Sequence, residues 1–136
     1  MSRRLLIAGG ALAAAAAGGA GMAIASDGKL PRPDAVYVPL DDVVVPIVGT
    51  RRVEGTLRVR LVVEADDESA AAALEKRMPE LRAASLGAAV EFSRLYGSPL
   101  AAVDAERLRG DMNAALAAAG VPQDRVLVTE VGAFPL

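Results

Sequence analysis

"VEGTLRVRLVVE", residues 53–64, decides how this chain folds. Val53, Leu57, Val59, Leu61 and Val63 take alternate positions, and Glu54, Thr56, Arg58, Arg60 and Glu64 take the others. Successive side chains of a strand point to opposite faces, so this period of two predicts a strand. One face meets a core and the other meets water, the pattern of an antiparallel sheet. Only Gly55 and Val62 blur the alternation.

On the N-terminal side, "AVYVPLDDVVVPIVG" (35–49) is rich in β-branched residues but contains Pro39 and Pro46. Proline has no N–H to give to a ladder, so this segment is expected as an edge or broken strand. Asp41-Asp42, between the two apolar runs, is a turn signal rather than a ligand pair. Gly49 and the pair Arg51-Arg52 supply a turn into the central strand.

On the C-terminal side, Asp66, Asp67 and Glu68 precede "SAAAALEKRM" (69–78). Three acids in a row suggest a cation site, but capping and the helix dipole explain acids at a helix start more simply. Pro79 is tolerated in a first turn and not in a helix interior. The spacing thus predicts a short helix to about Arg77, a bend, and a second helix from Pro79 to about Tyr96. Leu81, Ser85, Ala88, Ala89, Phe92 and Tyr96 form its apolar stripe, with Leu86 and Val90 beside it. Gly97-Ser98-Pro99 ends it. Asp104 is the expected cap of a third helix whose inner face holds Leu108, Met112, Ala115, Leu116 and Ala119, stopped by Gly120 and Pro122. Val126–Val131 closes the chain as a short strand. The expected fold class is α+β: a small antiparallel sheet covered on one face by about three helices. No internal repeat is visible.

With 136 residues the chain fits one domain. Much of its 53% hydrophobic content is alanine, and the aromatics are only Tyr37, Phe92, Tyr96 and Phe134, so Val, Leu and Ala must build the core. Net charge is −2. No basic cluster follows residue 26 except Arg51-Arg52, which argues against a nucleic-acid binder. The chain has neither Cys nor His. It therefore has no disulfide, no thiol nucleophile, no His general base and no Cys/His zinc site.

Upstream of the sheet, Arg3-Arg4 precede Leu5–Ala25, a run of 21 residues without a charge. As a helix it would measure about 31 Å, close to the hydrocarbon thickness of a bilayer. The arginines would place its N-terminus in the cytoplasm. The same stretch also reads as a twin-arginine export signal, with Ala23-Ile24-Ala25 as an A-x-A cleavage site. Both readings export residues 26–136. The organisation is thus residues 1–25 as a membrane anchor or signal-like segment, 26–35 as a proline-containing linker, and 36–136 as the folded domain.

The sequence contains no P-loop, no G-x-G-x-x-G and no G-x-S-x-G. A Ser–Lys dyad would have to use Lys29 in the linker or Lys76 on a helix, and neither position suits one. No catalytic, metal or cofactor-binding residue is assigned, and no cofactor is expected. Arg58 and Arg60, on the polar face of the central strand, are the candidate partner-contact residues.

The succession of segments carries a resemblance. "YVPLDDVVVPIVGTRRVEGTLRVRLVVEADD" (37–67) runs into "ALEKRMPELRAASLGAAV" (73–90), then "VDAERLRGDMNAALAAAG" (103–120) and "RVLVTEVGAF" (125–134). A tyrosine-bearing strand leads to a valine run, then to a strongly alternating strand and an acidic helix start. The Arg77-Met78-Pro79-Glu80-Leu81-Arg82 helix opening comes next, then Leu108-Arg109 and a closing strand with Thr129-Glu130. Over residues 36–134 this resembles the FliL family of flagellar basal-body-associated membrane proteins. The resemblance implies a single-pass inner-membrane protein whose periplasmic domain is similar to the stomatin/prohibitin-type fold. It implies a non-enzymatic role: self-association, contact with flagellar stator and basal-body proteins, and modulation of swimming or swarming. It also favours the anchor over cleavage, since that family keeps its N-terminal segment. The alternative is a soluble periplasmic binding or assembly domain released after twin-arginine-type export.

Overall fold

A computed structural model describes residues 34–136, so the expected anchor (1–25) and most of the linker (26–35) lie outside the described residues. The elements are β1 (Val36–Pro39), β2 (Val43–Val48), β3 (Val53–Ala65), α1 (Glu68–Lys76), α2 (Met78–Tyr96), α3 (Ala105–Ala118) and β4 (Val126–Pro135). The domain is α+β, with an antiparallel sheet and three helices.

β3 is the axis of the sheet. β2 pairs with its first half, from Val43↔Val59 to Val48↔Val53, and β1 with its end, from Val36↔Ala65 to Pro39↔Val62. β4 pairs along Gly55–Val63. A strand has two edges, and β4 overlaps the β3 residues used by both β1 and β2. β1 and β2 therefore lie one after the other along the opposite edge. The expected broken strand is a single lane interrupted at Asp41-Asp42, where Leu40 still donates its N–H to the Leu61 carbonyl at 3.1 Å. Pro46 is tolerated because β2 is an edge.

Val43, Val45 and Ile47 of β2 join Leu57, Val59, Leu61 and Val63 of β3 and Val126 of β4 on the inner face. Leu81, Ala89 and Phe92 of α2 and Leu108, Met112 and Leu116 of α3 meet them, all six of these helical residues at 2% exposure or less. A smaller cluster of Val38, Ala65 and Ala71 docks α1 at the β1 end.

The helix signals act at the expected positions. Asp67 caps α1 by accepting from the Ala70 N–H at 2.8 Å, and Asp104 caps α3 by accepting from the Arg107 N–H at 3.0 Å. Arg77 is the bend between α1 and α2, with Pro79 in the first turn of α2. Several expectations need correction. Leu86, Val90 and Tyr96 are each about half exposed, because the buried stripe of α2 is narrower: Leu81, Ser85, Ala89, Phe92 and Ser93. Val53, on the inner face of β3, is exposed because it lies beside the 49–52 turn, at the end of the sheet. Glu64, expected in water, is only 7% exposed, lying where β1, α1 and the Arg125 turn converge. β4 also runs past Val131 to Pro135, because β3 extends far enough to pair with it.

Candidate docking face on the open side of the sheet

The side chains that alternate with the core set, Thr56, Arg58, Arg60 and Val62 of β3 among them, form the outer face of the sheet. The core helices pack on the inner face. On this outer face the cross-strand neighbours of Arg58 are Val44 on β2 and Gly132 on β4, and that of Arg60 on β4 is Glu130.

The two candidate arginines are thus adjacent on one face, but their surroundings differ. Arg60 is fully engaged. Its Nε and Nη2 donate to Asp42 Oδ1 and Oδ2, both at 3.0 Å, and its Nη1 donates to Glu130 Oε2 at 3.0 Å. A planar guanidinium matches a carboxylate in this two-pronged way. One side chain therefore ties the lane break before β2, the central strand and β4 together. The hydrogen bonds from Arg60 hold Asp42 below the usual carboxylate value; desolvation opposes them, and the charges of Arg60 and then Arg58 add smaller lowering effects. The same hydrogen bonding raises Arg60 above the usual guanidinium value. Both groups are in water, so the cluster sets geometry more than it adds stability.

The bulge in β4 sharpens this arrangement. Between Arg60↔Glu130 and Leu61↔Val128 the register slips by one, leaving Thr129 as the extra residue. Its hydroxyl donates to the Arg60 carbonyl at 3.2 Å. A bulge turns a side chain that strict alternation would place elsewhere, and here it keeps Glu130 beside Arg60.

Arg58 has no acidic partner within 4.0 Å among the described residues. Its guanidinium carbon stands 6.0 Å from the centre of the Phe134 ring, the outer limit of a cation–π contact. That ring lies over Gly132, where an added Cβ would meet Phe134 Cζ at 2.9 Å. Gly132 thus lets an aromatic ring lie close beside the free arginine. The face offers a charge, a ring and an exposed Val44 side by side.

Asp41 and Asp42 sit at the lane break as expected, but each also holds an arginine: Asp41 pairs with Arg82 of α2 at 3.1 Å. Among the described residues, no group of three or more acids or histidines is placed to hold a metal ion. In the Asp66-Asp67-Glu68 run, Asp66 pairs with Arg125 at 2.9 Å and Asp67 is a cap. Lys76 ends α1, and the buried serine hydroxyls of α2, those of Ser85 and Ser93, donate to backbone carbonyls instead. No described helix is long and apolar enough to cross a membrane.

Alternation identified Arg58 and Arg60 from sequence; it could not separate the engaged one from the free one. Phe134 and Glu130 were missed as parts of this face, since pairing across β4 depends on the bulge. No protein-family model matches the chain, and no curated protein matches it.

Proposed function

We propose that this protein is a non-enzymatic, membrane-tethered docking domain of the FliL type, acting at the flagellar basal body. In this reading Leu5–Ala25 is retained as a single inner-membrane span with the N-terminus in the cytoplasm, and residues 36–136 lie in the periplasm. The domain associates with copies of itself and contacts stator proteins through the outer sheet face that carries Arg58, modulating swimming and swarming.

The observation that carries the reading is the order of elements. A lane broken at Asp41-Asp42, a long alternating strand, a helix opened by acids and a bend before Pro79 come in succession. A helix capped by Asp104 and a closing strand through Thr129-Glu130 complete the order in which the sequence resembles the FliL family. An outer sheet face bearing a free arginine and an exposed ring supports a binding role. The test is genetic. Deleting the gene should change swimming speed or swarming under high load while filaments still assemble. Unchanged motility under load, with no crosslink between this protein and the stator, would overturn the proposal. A dominant soluble species beginning at Ser26 would instead favour the released periplasmic domain.

A further inference from the structure

The cations of this domain are unevenly satisfied. Of the eleven Lys and Arg side chains in residues 34–136, seven have an acidic partner within 4.0 Å: Arg60, Arg77, Arg82, Arg94, Arg107, Arg109 and Arg125. The four without one among the described residues are Lys76, Arg51, Arg52 and Arg58. Three of these four lie on the β2–β3 hairpin, in a chain whose net charge is negative. Arg51 and Arg52 form the exposed turn, which is closed by the Gly49 N–H donating to the Arg52 carbonyl at 2.8 Å.

Large apolar side chains are exposed at the same end. Leu136 is 84% and Leu100 90% exposed, with Val48, Val53 and Phe134 between 42% and 61%. Chain geometry brings them together. Val48 pairs with Val53, Thr56 with Phe134, and the Leu136 N–H donates to the Glu54 carbonyl at 3.2 Å. The α2–α3 loop closes in through Pro99 and Leu100, which share an open cleft with Arg52, Val53, Pro135 and Leu136. The one acidic side chain lining that cleft among the described residues is Glu54, which folds over Gly49.

We infer that this hairpin end is a docking surface for an acidic segment of another protein, one that carries apolar side chains among its carboxylates. Arg51 and Arg52, without ion pairs among the described residues, lie beside exposed leucine and valine, and Arg58 stands further along the outer face beside Phe134; together they complement that chemistry. Lipid headgroups are a poorer match, because basic membrane patches use four to eight cations and this end offers Arg51 and Arg52, with Glu54 lining the same cleft as Arg52. A second copy is a poorer match too. The acids without ion pairs among the described residues include Glu68 and Glu75 of α1, which docks at the β1 end of the sheet, away from the exposed leucines. They would answer the charge and leave the leucines uncovered. The inference goes beyond the flagellar proposal and holds whatever the partner's role.

The test uses purified full-length protein and a fluorescent synthetic peptide in which Glu alternates with Leu and Phe. Its controls replace Glu by Lys, or Leu and Phe by Ser. The peptide should bind and weaken with added salt, and both controls should bind poorly. Arg51→Glu with Arg52→Glu should weaken binding about tenfold or more, the effect of losing two exposed charge pairs of ordinary strength. Leu100→Ser should weaken it as well, and Arg82→Glu, a paired arginine elsewhere on the domain, should leave it unchanged. Unfolding midpoints of the variants should match that of the unchanged protein, since every substituted residue is exposed. Peptide binding insensitive to the hairpin charges would overturn the inference. So would arginine-dependent binding to phosphatidylglycerol vesicles without peptide binding, or arginine-dependent self-association in sedimentation without it. Motility phenotypes play no part in this test, so its failure and that of the flagellar proposal are told apart.

Discussion

Asn113 of α3 completes the hydrogen bonding of Val126, the first residue of β4, in both directions: its Nδ2 donates to the Val126 carbonyl at 3.1 Å, and its Oδ1 accepts from the Val126 N–H at 3.0 Å. Asn113 is 6% exposed and Val126 1%. An amide side chain here takes the place of a neighbouring strand. Replacing it with Ala leaves two buried backbone groups unpaired, and such groups cost about 1–3 kcal/mol each. Asn113→Ala should therefore destabilise the domain by about 2–6 kcal/mol, read as a fall in the urea midpoint. An unchanged midpoint would mean that water replaces the amide without loss.

Phe92 is 2% exposed and lies between the sheet and α3, with its ring centre 5.4 Å from that of Tyr96. Core aromatics truncated to Ala typically cost about 3–5 kcal/mol. Phe92→Ala should show a loss of that size by denaturant unfolding. A smaller loss, below about 1 kcal/mol, would mean that the surrounding side chains collapse into the gap.

Gly120 has φ +96, and an added Cβ would stand 2.7 Å from Arg77 Nη1. Arg77 donates to the Ala119 carbonyl at the end of α3, so the α1–α2 bend and the α3 terminus are held by one side chain. Gly120→Ala meets both the left-handed backbone and the guanidinium. It should destabilise by about 1–2 kcal/mol, at or above the usual cost of Ala at positive φ. Arg77→Ala in the same background should recover part of that loss, because the two changes share a contact.

The Asp42–Arg60 pair fixes a pH dependence. Asp42 is depressed in the folded state, first by the Arg60 hydrogen bonds. Its contribution is therefore complete above the ordinary carboxylate value of 3.8 and is lost as pH falls through the lower folded value. Arg60→Ala should return the Asp42 titration, followed by carboxyl NMR, to about its ordinary value. Glu91, depressed chiefly by its hydrogen bond from Arg94, should be unaffected by that change. An Asp42 titration that does not move would place the depression elsewhere.

Much of the fold was legible because β3 has a period of two and because Asp67, Pro79, Asp104 and Gly120 mark helix ends through local chemistry. What was not legible depends on distant parts of the chain. Glu64 is buried because β1 and the Arg125 turn meet over it, and no pattern within 53–64 contains them. The half-exposed Leu86 and Val90 read as core because a helical stripe fixes a direction, not how far the sheet reaches beneath it. On the candidate face, alternation places Arg58 and Arg60 together. Only the bulge at Thr129 and the lane break at Asp42 determine that Arg60 is engaged while Arg58 is free.

The most direct measurement is a photo-crosslink in living cells. A photoreactive residue at position 58, on the free arginine's side of the outer sheet face, should capture a stator subunit when the motor is assembled. The same residue in place of Arg82, on α2, should not. Capture of stator protein from position 58, lost when stator genes are deleted, is the expected result. No motor protein captured from position 58, in cells whose motility under load is the same with and without this gene, would contradict the proposed role.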